Sequence, residues 1–242
     1  MTTAIGVGAR GRMGPRVGPA LGAADDFDLA GGSDADDIGS LDEEAPAAGL
    51  VIDFSRPAAM PHVAAYVRRT GAALVSGTTG LSEDDLEVLR ELGQAAPVVW
   101  SGNYSLGVAA LRHATRLVSE ALPGWDVEIA ETHHNRKADA PSGTAKMLVA
   151  EVDPSGARPV VYGREGIVGE RPAGEIGVHA LRGGTVAGTH EVHFFGQDEE
   201  VCLTHRAASR QIFVVGAIAA ARRLVARPAG FYTFDQLMFE GE

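Results

Sequence analysis

Five strand-length apolar runs alternate with helical stretches over the first hundred residues, and this alternation is the strongest constraint on the fold. The runs lie at residues 3–7, 29–32, 50–54, 73–76 and 97–100. Stretches with helical periodicity lie between them, at residues 13–21, 58–69 and 83–92. Repeated βα units of this kind predict a parallel sheet with crossover helices.

The first βα turn, AIGVGARGRMG, spaces Gly8, Gly11 and Gly14 three residues apart between a strand and a helix. Such glycines let the backbone approach a pyrophosphate and aim the helix N-terminus at its charge, although they also serve simply to pack a helix on a sheet. Asp34 follows the second strand, where an acid hydrogen-bonds a ribose 2'-hydroxyl. The alternative is that Asp34 belongs to the solvated acidic run 34–37.

Two later strand ends carry small polar residues, VSGTTG at 75–80 and SGNYSLG at 101–107. The carboxyl ends of strands line the ligand crevice of an open parallel sheet, so Gly77, Thr79, Asn103 and Tyr104 are candidates for contacts near a nicotinamide. Turn chemistry alone also explains Gly-Thr-Thr-Gly. The DFSRP stretch at 53–57 lies at a third strand end. A role in the same crevice and a capped helix start explain it equally well.

The pattern changes from Asp126 onward. A strand at 127–130 and a helix at 143–151 precede glycine-punctuated segments that we interpret as antiparallel strands, at 160–162, 177–181, 185–195 and 201–206. The composition of the apolar helix 211–225 is closer to that of the first part of the chain than to that of the β-rich part. We therefore predict an α/β fold, with a Rossmann-type dinucleotide-binding domain at 1–104 and 211–242. An inserted α+β domain at 105–210 carries a mostly antiparallel sheet.

Composition excludes several classes of partner. A net charge of -11 over 242 residues argues against a nucleic-acid or anionic-membrane partner, so an anionic ligand must meet a local basic patch. The single cysteine, Cys202, cannot form an internal disulfide, which fits a reducing cytoplasm. The opening residues lack the features of a signal peptide, and the apolar run 212–221 is shorter than a membrane span of roughly 20 residues.

The basic patch is ETHHNRKADAPSGTA at 131–145, which holds one of the chain's two lysines, Lys137. Adjacent His133 and His134 point to opposite faces of an extended segment and have no H-E-x-x-H partner, so we expect no metal. A helix begins after Pro141, and free N–H groups at Gly143 and Thr144 suit a carboxylate. Lysine can release a proton, which arginine does not do at working pH. The pattern favours an anion-binding active site over a purely structural role.

The motifs together resemble one known family. They are GARGRMG at 8–14, SGTTG at 76–80, NYSLGV at 103–108, the long histidine–lysine motif at 131–145, YGREG at 162–166 and THRAASR at 204–210. In this order they resemble the dihydrodipicolinate reductases of lysine biosynthesis, from Ile5 to about Leu237. The histidine–lysine motif is highly specific, whereas the glycine motif by itself is not.

The resemblance implies a cytoplasmic reductase that uses NADH, NADPH or both on a cyclic imine dicarboxylate, in the diaminopimelate route. It implies His133 and Lys137 as acid/base residues, with His134, Gly143 and Thr144 holding the substrate carboxylates. It also implies a homotetramer joined through the β-rich domain, where strand 185–195 suits the interface. The residues that it implies for the cofactor are Gly8, Ala9, Arg10, Gly11, Arg12, Met13, Asp34, Gly77, Thr78, Thr79, Ser101, Gly102, Asn103 and Tyr104.

Two departures from the family pattern keep the cofactor preference open. Ser101-Gly102 stands where the family usually has Ala-Pro, and Ala35 follows Asp34 where many NADPH-using relatives have arginine. Ala35 favours NADH, although Arg10 or Arg12 is able to meet a phosphate. Arg210 is a candidate for a domain-crossing or carboxylate-binding role.

Two other functions remain as alternatives. One is a catalytically silent dinucleotide-sensing module that keeps the fold without the chemistry. The other is a different two-domain dehydrogenase acting on a semialdehyde, which requires a cysteine nucleophile. Cys202 lies on a β segment with no adjacent base in the sequence.

Overall fold

The computed structural model describes residues 1–11, 13–43 and 45–239. The chain divides into two compact units, one formed by residues 1–106 with 211–242 and the other by residues 107–210. Among the described residues, no helix is both long and apolar enough to cross a membrane.

The first unit is built on a six-stranded parallel sheet. Its strands are β1 (Thr2–Val7), β2 (Phe27–Ser33), β3 (Leu50–Asp53), β4 (Ala73–Ser76), β5 (Pro97–Trp100) and β11 (Gly230–Tyr232). Their order across the sheet is β11-β5-β4-β3-β1-β2, and every pairing is parallel. The order reverses between β1 and β3, and in such sheets ligands bind outside the carboxyl ends of the strands at this point.

Helices cover this sheet and shield its apolar strands. They are α1 (Gly14–Gly22), α2 (Ser40–Glu43), α3 (Met60–Thr70), α4 (Glu83–Leu92), α7 (Gln211–Leu224) and α8 (Phe234–Phe239). β3 and β4 are buried at every position, as expected for central strands covered on both faces. One core cluster joins Val51 and Leu74 in the sheet to Val63 and Leu89 in the helices.

The second unit packs two helices on a five-stranded sheet. The helices are α5 (Leu106–Ala121) and α6 (Gly143–Val152), and the strands are β6 (Asp126–His133), β7 (Val160–Val161), β8 (Ile176–Arg182), β9 (Thr189–Phe195) and β10 (Glu200–Arg206). Val127, Ile129, Val192 and Phe194 on one face of the sheet pack with Leu148 of α6. The opposite face alternates with them and carries polar residues.

This second sheet is mixed, so the prediction of a mostly antiparallel sheet is not confirmed. β9 pairs antiparallel with both β6 and β10, whereas β8 pairs parallel with both β6 and β7. The physical reason is α6, which follows β6 and carries the chain back across the sheet before β7 and β8. A strand that follows a crossover helix enters a sheet parallel to the strand before it.

Candidate active site

Two glycines let the glycine turn fold close to its neighbours at the switch point of the first sheet. Gly8 has φ +82°, and an ideal Cβ on it would lie 2.6 Å from the backbone oxygen of Phe54, the residue after β3. A Cβ on Gly14 would lie 2.0 Å from the backbone oxygen of Ala9. Since backbone packing alone requires these two glycines, their spacing does not by itself decide between packing and cofactor binding.

The start of α1 fits an anion. Met13 occupies the N-cap position, no described side chain caps the helix, and its first turn holds no acidic residue. The positive dipole end of such a terminus attracts phosphate, although Pro15 has no N–H group and that of Arg16 donates to the backbone oxygen of Met13 at 2.9 Å. An apolar cavity beside the turn is lined by Ala9, Leu29 and Gly32 among others. These features fit a dinucleotide, while Arg12 lies outside the described residues.

The carboxylate of Asp34 is hydrogen-bonded to the backbone of the glycine turn. Its Oδ2 accepts the backbone N–H of Arg10 at 2.5 Å, and its Oδ1 accepts that of Ala35 at 2.8 Å. These N–H groups, that of Ala35 foremost, hold the pKa of Asp34 below its usual range. The Arg10 guanidinium lies 3.5 to 3.7 Å from the carboxylates of Asp34, Asp36 and Asp37. Its positive charge is therefore already met by three negative ones.

The buried carboxylate of Asp53, at the end of β3, accepts hydrogen bonds from side chains at and just after the end of β4. Its Oδ2 accepts the hydroxyl of Ser76 at 2.9 Å and that of Thr78 at 2.8 Å. Burial raises the pKa of Asp53, although its hydroxyl donors oppose that effect. Thr78 therefore uses its hydroxyl inside the protein, whereas Thr79 is exposed and Gly77 is half-buried.

The loop after β5 is held by its own side chains. The hydroxyl of Ser101 donates to the backbone oxygen of Asn103 at 2.8 Å, and Gly102 between them is exposed. Tyr104 is 1% exposed, and its hydroxyl donates to the backbone oxygen of Ser76 at 2.8 Å. A ligand at this loop would therefore meet the backbone of Tyr104 rather than its ring.

In the second unit, β6 presents the first part of the histidine–lysine motif. Its buried residues alternate as Val127, Ile129 and Glu131, and His133 is next on the same side of the strand. Glu131 thus occupies a position where the alternation predicts an apolar residue. Its side chain is fully buried and that of His133 is 12% exposed.

Four hydrogen bonds satisfy the buried carboxylate of Glu131. Nδ1 of His133 lies 2.6 Å from its Oε2, and Arg182 donates to both of its oxygens at 2.8 Å. The backbone N–H of Ser142 donates to its Oε1 at 3.0 Å. Burial alone would raise the pKa of Glu131, but Arg182, His133 and Ser142 outweigh burial and lower it. The carboxylate is therefore held in its charged form.

Lys137 is held by a second carboxylate. Its Nζ donates to the two oxygens of Asp139 at 2.7 and 2.9 Å, and its side chain is 19% exposed. The hydrogen bond from Lys137 lowers the pKa of Asp139. Arg182 also donates to the backbone oxygen of Asp139 at 2.7 Å. His133 is thus linked to the guanidinium of Arg182 through Glu131, and Lys137 is linked to the same group through Asp139.

The proposed carboxylate-binding residues flank this cluster. Ser142 is the N-cap of α6 and accepts the N–H of Ala145 at 3.2 Å, while Gly143 is exposed and Thr144 is buried. The N-terminus of this ten-residue helix suits an anion. Nε2 of His134 lies 3.4 Å from Nη2 of Arg210, so the structure brings these two candidate residues together.

A third histidine lies behind His133. His190 is 4% exposed, its ring centroid lies 5.2 Å from that of His133, and the two rings meet edge to face. Its Nε2 lies 3.4 Å from Oγ of Ser142. Burial foremost, helped by neighbouring His133 and His205, lowers the pKa of His190 to about 4. It is therefore a neutral side chain near neutral pH.

The single cysteine lies away from this cluster but has a histidine neighbour that the sequence did not reveal. Cys202 pairs with His193 across β9 and β10, with Sγ 3.9 Å from Nε2. Oε1 of Glu200 lies 2.5 Å from the other ring nitrogen of His193, Nδ1. One ligand atom from each of His193, Glu200 and Cys202 lies within 4.8 Å of the others, although Glu200 and Cys202 contact different nitrogens of the His193 ring.

The sequence did not predict Glu131, Arg182 or His190 as members of the cluster. Glu131 had a detectable signal, since it is a charged residue in register with apolar Val127 and Ile129. Arg182 and His190 had none, because strand register brings them there. Arg182 pairs with His133 across β6 and β8, and His190 pairs with Glu131 across β6 and β9.

The family models and the relatives that match this chain all belong to one family. The family model described as dihydrodipicolinate reductase, N-terminus, matches residues 3–104, and the corresponding C-terminus model matches residues 107–238. A 4-hydroxy-tetrahydrodipicolinate reductase from Rubrobacter xylanophilus is 43% identical over 230 residues, covering 93% of this chain and 84% of the relative. Another, from Caldanaerobacter subterraneus, is 37% identical and covers 97% of both chains.

Solved structures give the same fold. A dipicolinate-bound dihydrodipicolinate reductase from Paenisporosarcina sp. TG-14 aligns with a TM-score of 0.76 at 22% identity, covering 96% of this chain and 97% of that one. A probable dehydrogenase from Thermotoga maritima aligns with a TM-score of 0.63 at 11% identity, covering 98% and 92%. At these identities the similarity concerns the fold.

Proposed function

The chain belongs to the dihydrodipicolinate reductase family, and from this premise we propose how its residues carry out the reaction. It is an NAD(P)H-dependent oxidoreductase that reduces 4-hydroxy-tetrahydrodipicolinate to tetrahydrodipicolinate in the diaminopimelate route to lysine. The observation that carries the residue assignment is the cluster in which Glu131 holds His133 and Asp139 holds Lys137.

The first unit binds the dinucleotide in this proposal. The uncapped N-terminus of α1 and the turn from Gly8 to Met13 hold the pyrophosphate, and Asp34 accepts a ribose hydroxyl. The loops at Gly77–Thr79 and Ser101–Tyr104 support the nicotinamide through their backbone, since Thr78 and Tyr104 use their hydroxyls internally. When bound, the nicotinamide supplies the hydride.

The second unit binds the dicarboxylate and moves the proton. The N–H groups of Gly143 and Thr144 at the start of α6, together with His134, hold the carboxylates. His133 and Lys137 are the acid/base residues; the 4-hydroxyl group leaves the ring as water, and when hydride adds to the resulting unsaturated ring Lys137 donates the proton to the ring carbon that gains electron density. The concentration of cations here explains how a chain of net charge -11 attracts a doubly charged anion.

Location and assembly complete the proposal. We place the enzyme in the cytoplasm, where a chain with one cysteine needs no disulfide. We also propose a homotetramer joined through the mixed sheet, which the strict alternation of β9 supports because one of its faces is left for an interface. Light scattering on the purified protein tests the assembly, and a monomeric mass would contradict it.

The reaction is tested by coupling the protein to a dihydrodipicolinate synthase that makes the substrate from pyruvate and aspartate semialdehyde. We expect NADH or NADPH to be consumed only when both precursors and the synthase are present. Cofactor binding without consumption would instead support the silent sensing module. Reduction of NAD+ or NADP+, supplied in a separate reaction, by the semialdehyde alone would support the other dehydrogenase.

A further inference from the structure

We propose that Glu131 is a positioning residue that fixes the ring of His133 and, through Arg182, the side chain of Lys137. This inference rests on the proposed function of those two residues. It assigns one buried carboxylate the task of orienting both acid/base groups.

The contact with Glu131 determines which nitrogen of His133 carries hydrogen. An ionised carboxylate only accepts hydrogen bonds, and Nδ1 of His133 lies 2.6 Å from Oε2 of Glu131. Nδ1 must therefore be the protonated nitrogen of the neutral ring. The second nitrogen, Nε2, then has an open lone pair with which to exchange a proton.

The second arm of the network runs through Arg182 to Lys137. The guanidinium binds both oxygens of Glu131 and, with Nη2, the backbone oxygen of Asp139. The carboxylate of Asp139 in turn holds Nζ of Lys137. A planar guanidinium has a fixed fork of donors, so it transmits the position of Glu131 to Asp139 with little freedom.

The burial of Glu131 argues against a purely structural role. Its position on β6 is in register with Val127 and Ile129, where an apolar side chain would pack without loss of solvation. Replacing a buried ion pair by apolar residues is often neutral or stabilising. One group bound to this carboxylate, His133, is a proposed acid/base residue, and another, Ser142, is the N-cap of the helix that we propose binds the substrate carboxylates.

The same strand provides a matched control. Glu128 lies on the opposite side of β6, where Nε2 of His179 approaches its Oε2 at 2.6 Å and Arg164 donates to its Oε1 at 2.8 Å. Glu128→Gln therefore disturbs the same type of carboxylate, histidine and arginine cluster away from the proposed acid/base residues. A loss that follows from weakening β6 in general will appear in both variants.

The experiment compares wild type, Glu131→Gln and Glu128→Gln by kinetics and by NMR of ¹⁵N-labelled histidine side chains. We expect Glu131→Gln to lower kcat about 100-fold, the scale of acid/base catalysis, while KM for NADH stays unchanged. The His133 signals should change from the Nδ1–H form to a mixture of the two neutral forms. Glu128→Gln should keep the kcat and the His133 signals of wild type.

Several outcomes overturn the inference. They are wild-type kcat in Glu131→Gln, an unchanged Nδ1–H form of His133 in that variant, or an equal loss of kcat in Glu128→Gln. If Glu131→Gln does not fold because the half-buried Arg182 loses its carboxylate partner, the double variant Glu131→Gln/Arg182→Gln takes its place with the same expectations. If the wild-type enzyme does not turn over, the proposed function is wrong. The NMR comparison still tests whether Glu131 sets the protonated nitrogen of His133, so the two proposals fail separately.

Discussion

Gly188 leaves the Nε2 edge of the His133 ring open. An ideal Cβ on Gly188 would lie 3.1 Å from Nε2 of His133, closer than a side-chain carbon normally approaches a ring nitrogen. Gly188 also has φ +155°, a backbone conformation that residues with a side chain rarely adopt. The glycine therefore serves both the path of the chain into β9 and access to Nε2.

Gly188→Ala is expected to lower kcat about tenfold or more, because the new methyl group covers Nε2, the nitrogen of His133 that we propose exchanges the proton. Gly183→Ala is the control, since a Cβ there meets no atom within 4 Å. Steady-state kinetics on both variants checks this. Equal kcat values for Gly188→Ala and wild type would show that Nε2 is not the working nitrogen.

Lys137→Ala is expected to reduce turnover about 100-fold or more while cofactor binding is kept, because it removes the proposed proton donor. The chain's other lysine, Lys146, is exposed on α6 and provides the control Lys146→Ala. Turnover and NADH fluorescence titration are measured on both. Near-normal turnover in Lys137→Ala would end its assignment as the acid.

Asp34→Ala is expected to weaken NADH binding by about 10- to 100-fold, since a charged hydrogen bond to the ribose contributes roughly 1.5 to 3 kcal/mol. Arg10 is already surrounded by Asp34, Asp36 and Asp37, so we also expect wild type to bind NADH more tightly than NADPH. Asp36→Ala, at a side chain that is 84% exposed, is the control. Unchanged NADH affinity in Asp34→Ala would return Asp34 to the solvated acidic run.

His190 is expected to make stability fall as the pH drops from about 6.5 to about 4. In this window the unfolded chain binds a proton at this histidine and the folded protein does not, so acid favours unfolding. The contribution is on the order of 3 kcal/mol at the acid end. Denaturant unfolding across this range should show a flatter dependence on pH in His190→Gln, and a slope equal to that of wild type would contradict the prediction.

Local patterns in the sequence located most of the regular structure. β4 and α4 lie at the predicted residues, because a short apolar run bounded by polar turns and a capping box at Ser82 and Asp85 are local signals. The three-residue β11 and the short helices α2 and α8 were not predicted. Elements of this length are too short to establish a periodicity and depend on the sheet and helices already in place.

The site was predictable only as far as it is contiguous in the chain. The motif at 131–145 placed His133, Lys137 and the start of α6 in one stretch. Arg182 and His190 enter through the pairing of β8 and β9 with β6. No periodicity in one sequence specifies that register, so the network that joins His133 to Lys137 required the structure.

The central claim is that this chain transfers a hydride from a nicotinamide to the cyclic dicarboxylate. The most direct measurement supplies NADH and NADPH, in separate reactions, with deuterium at the transferred position and substrate made by the synthase, and then determines the mass of the product. We predict tetrahydrodipicolinate that carries the deuterium, formed faster with NADH. A product without deuterium, or no product from either labelled cofactor despite measurable cofactor binding, would contradict the account.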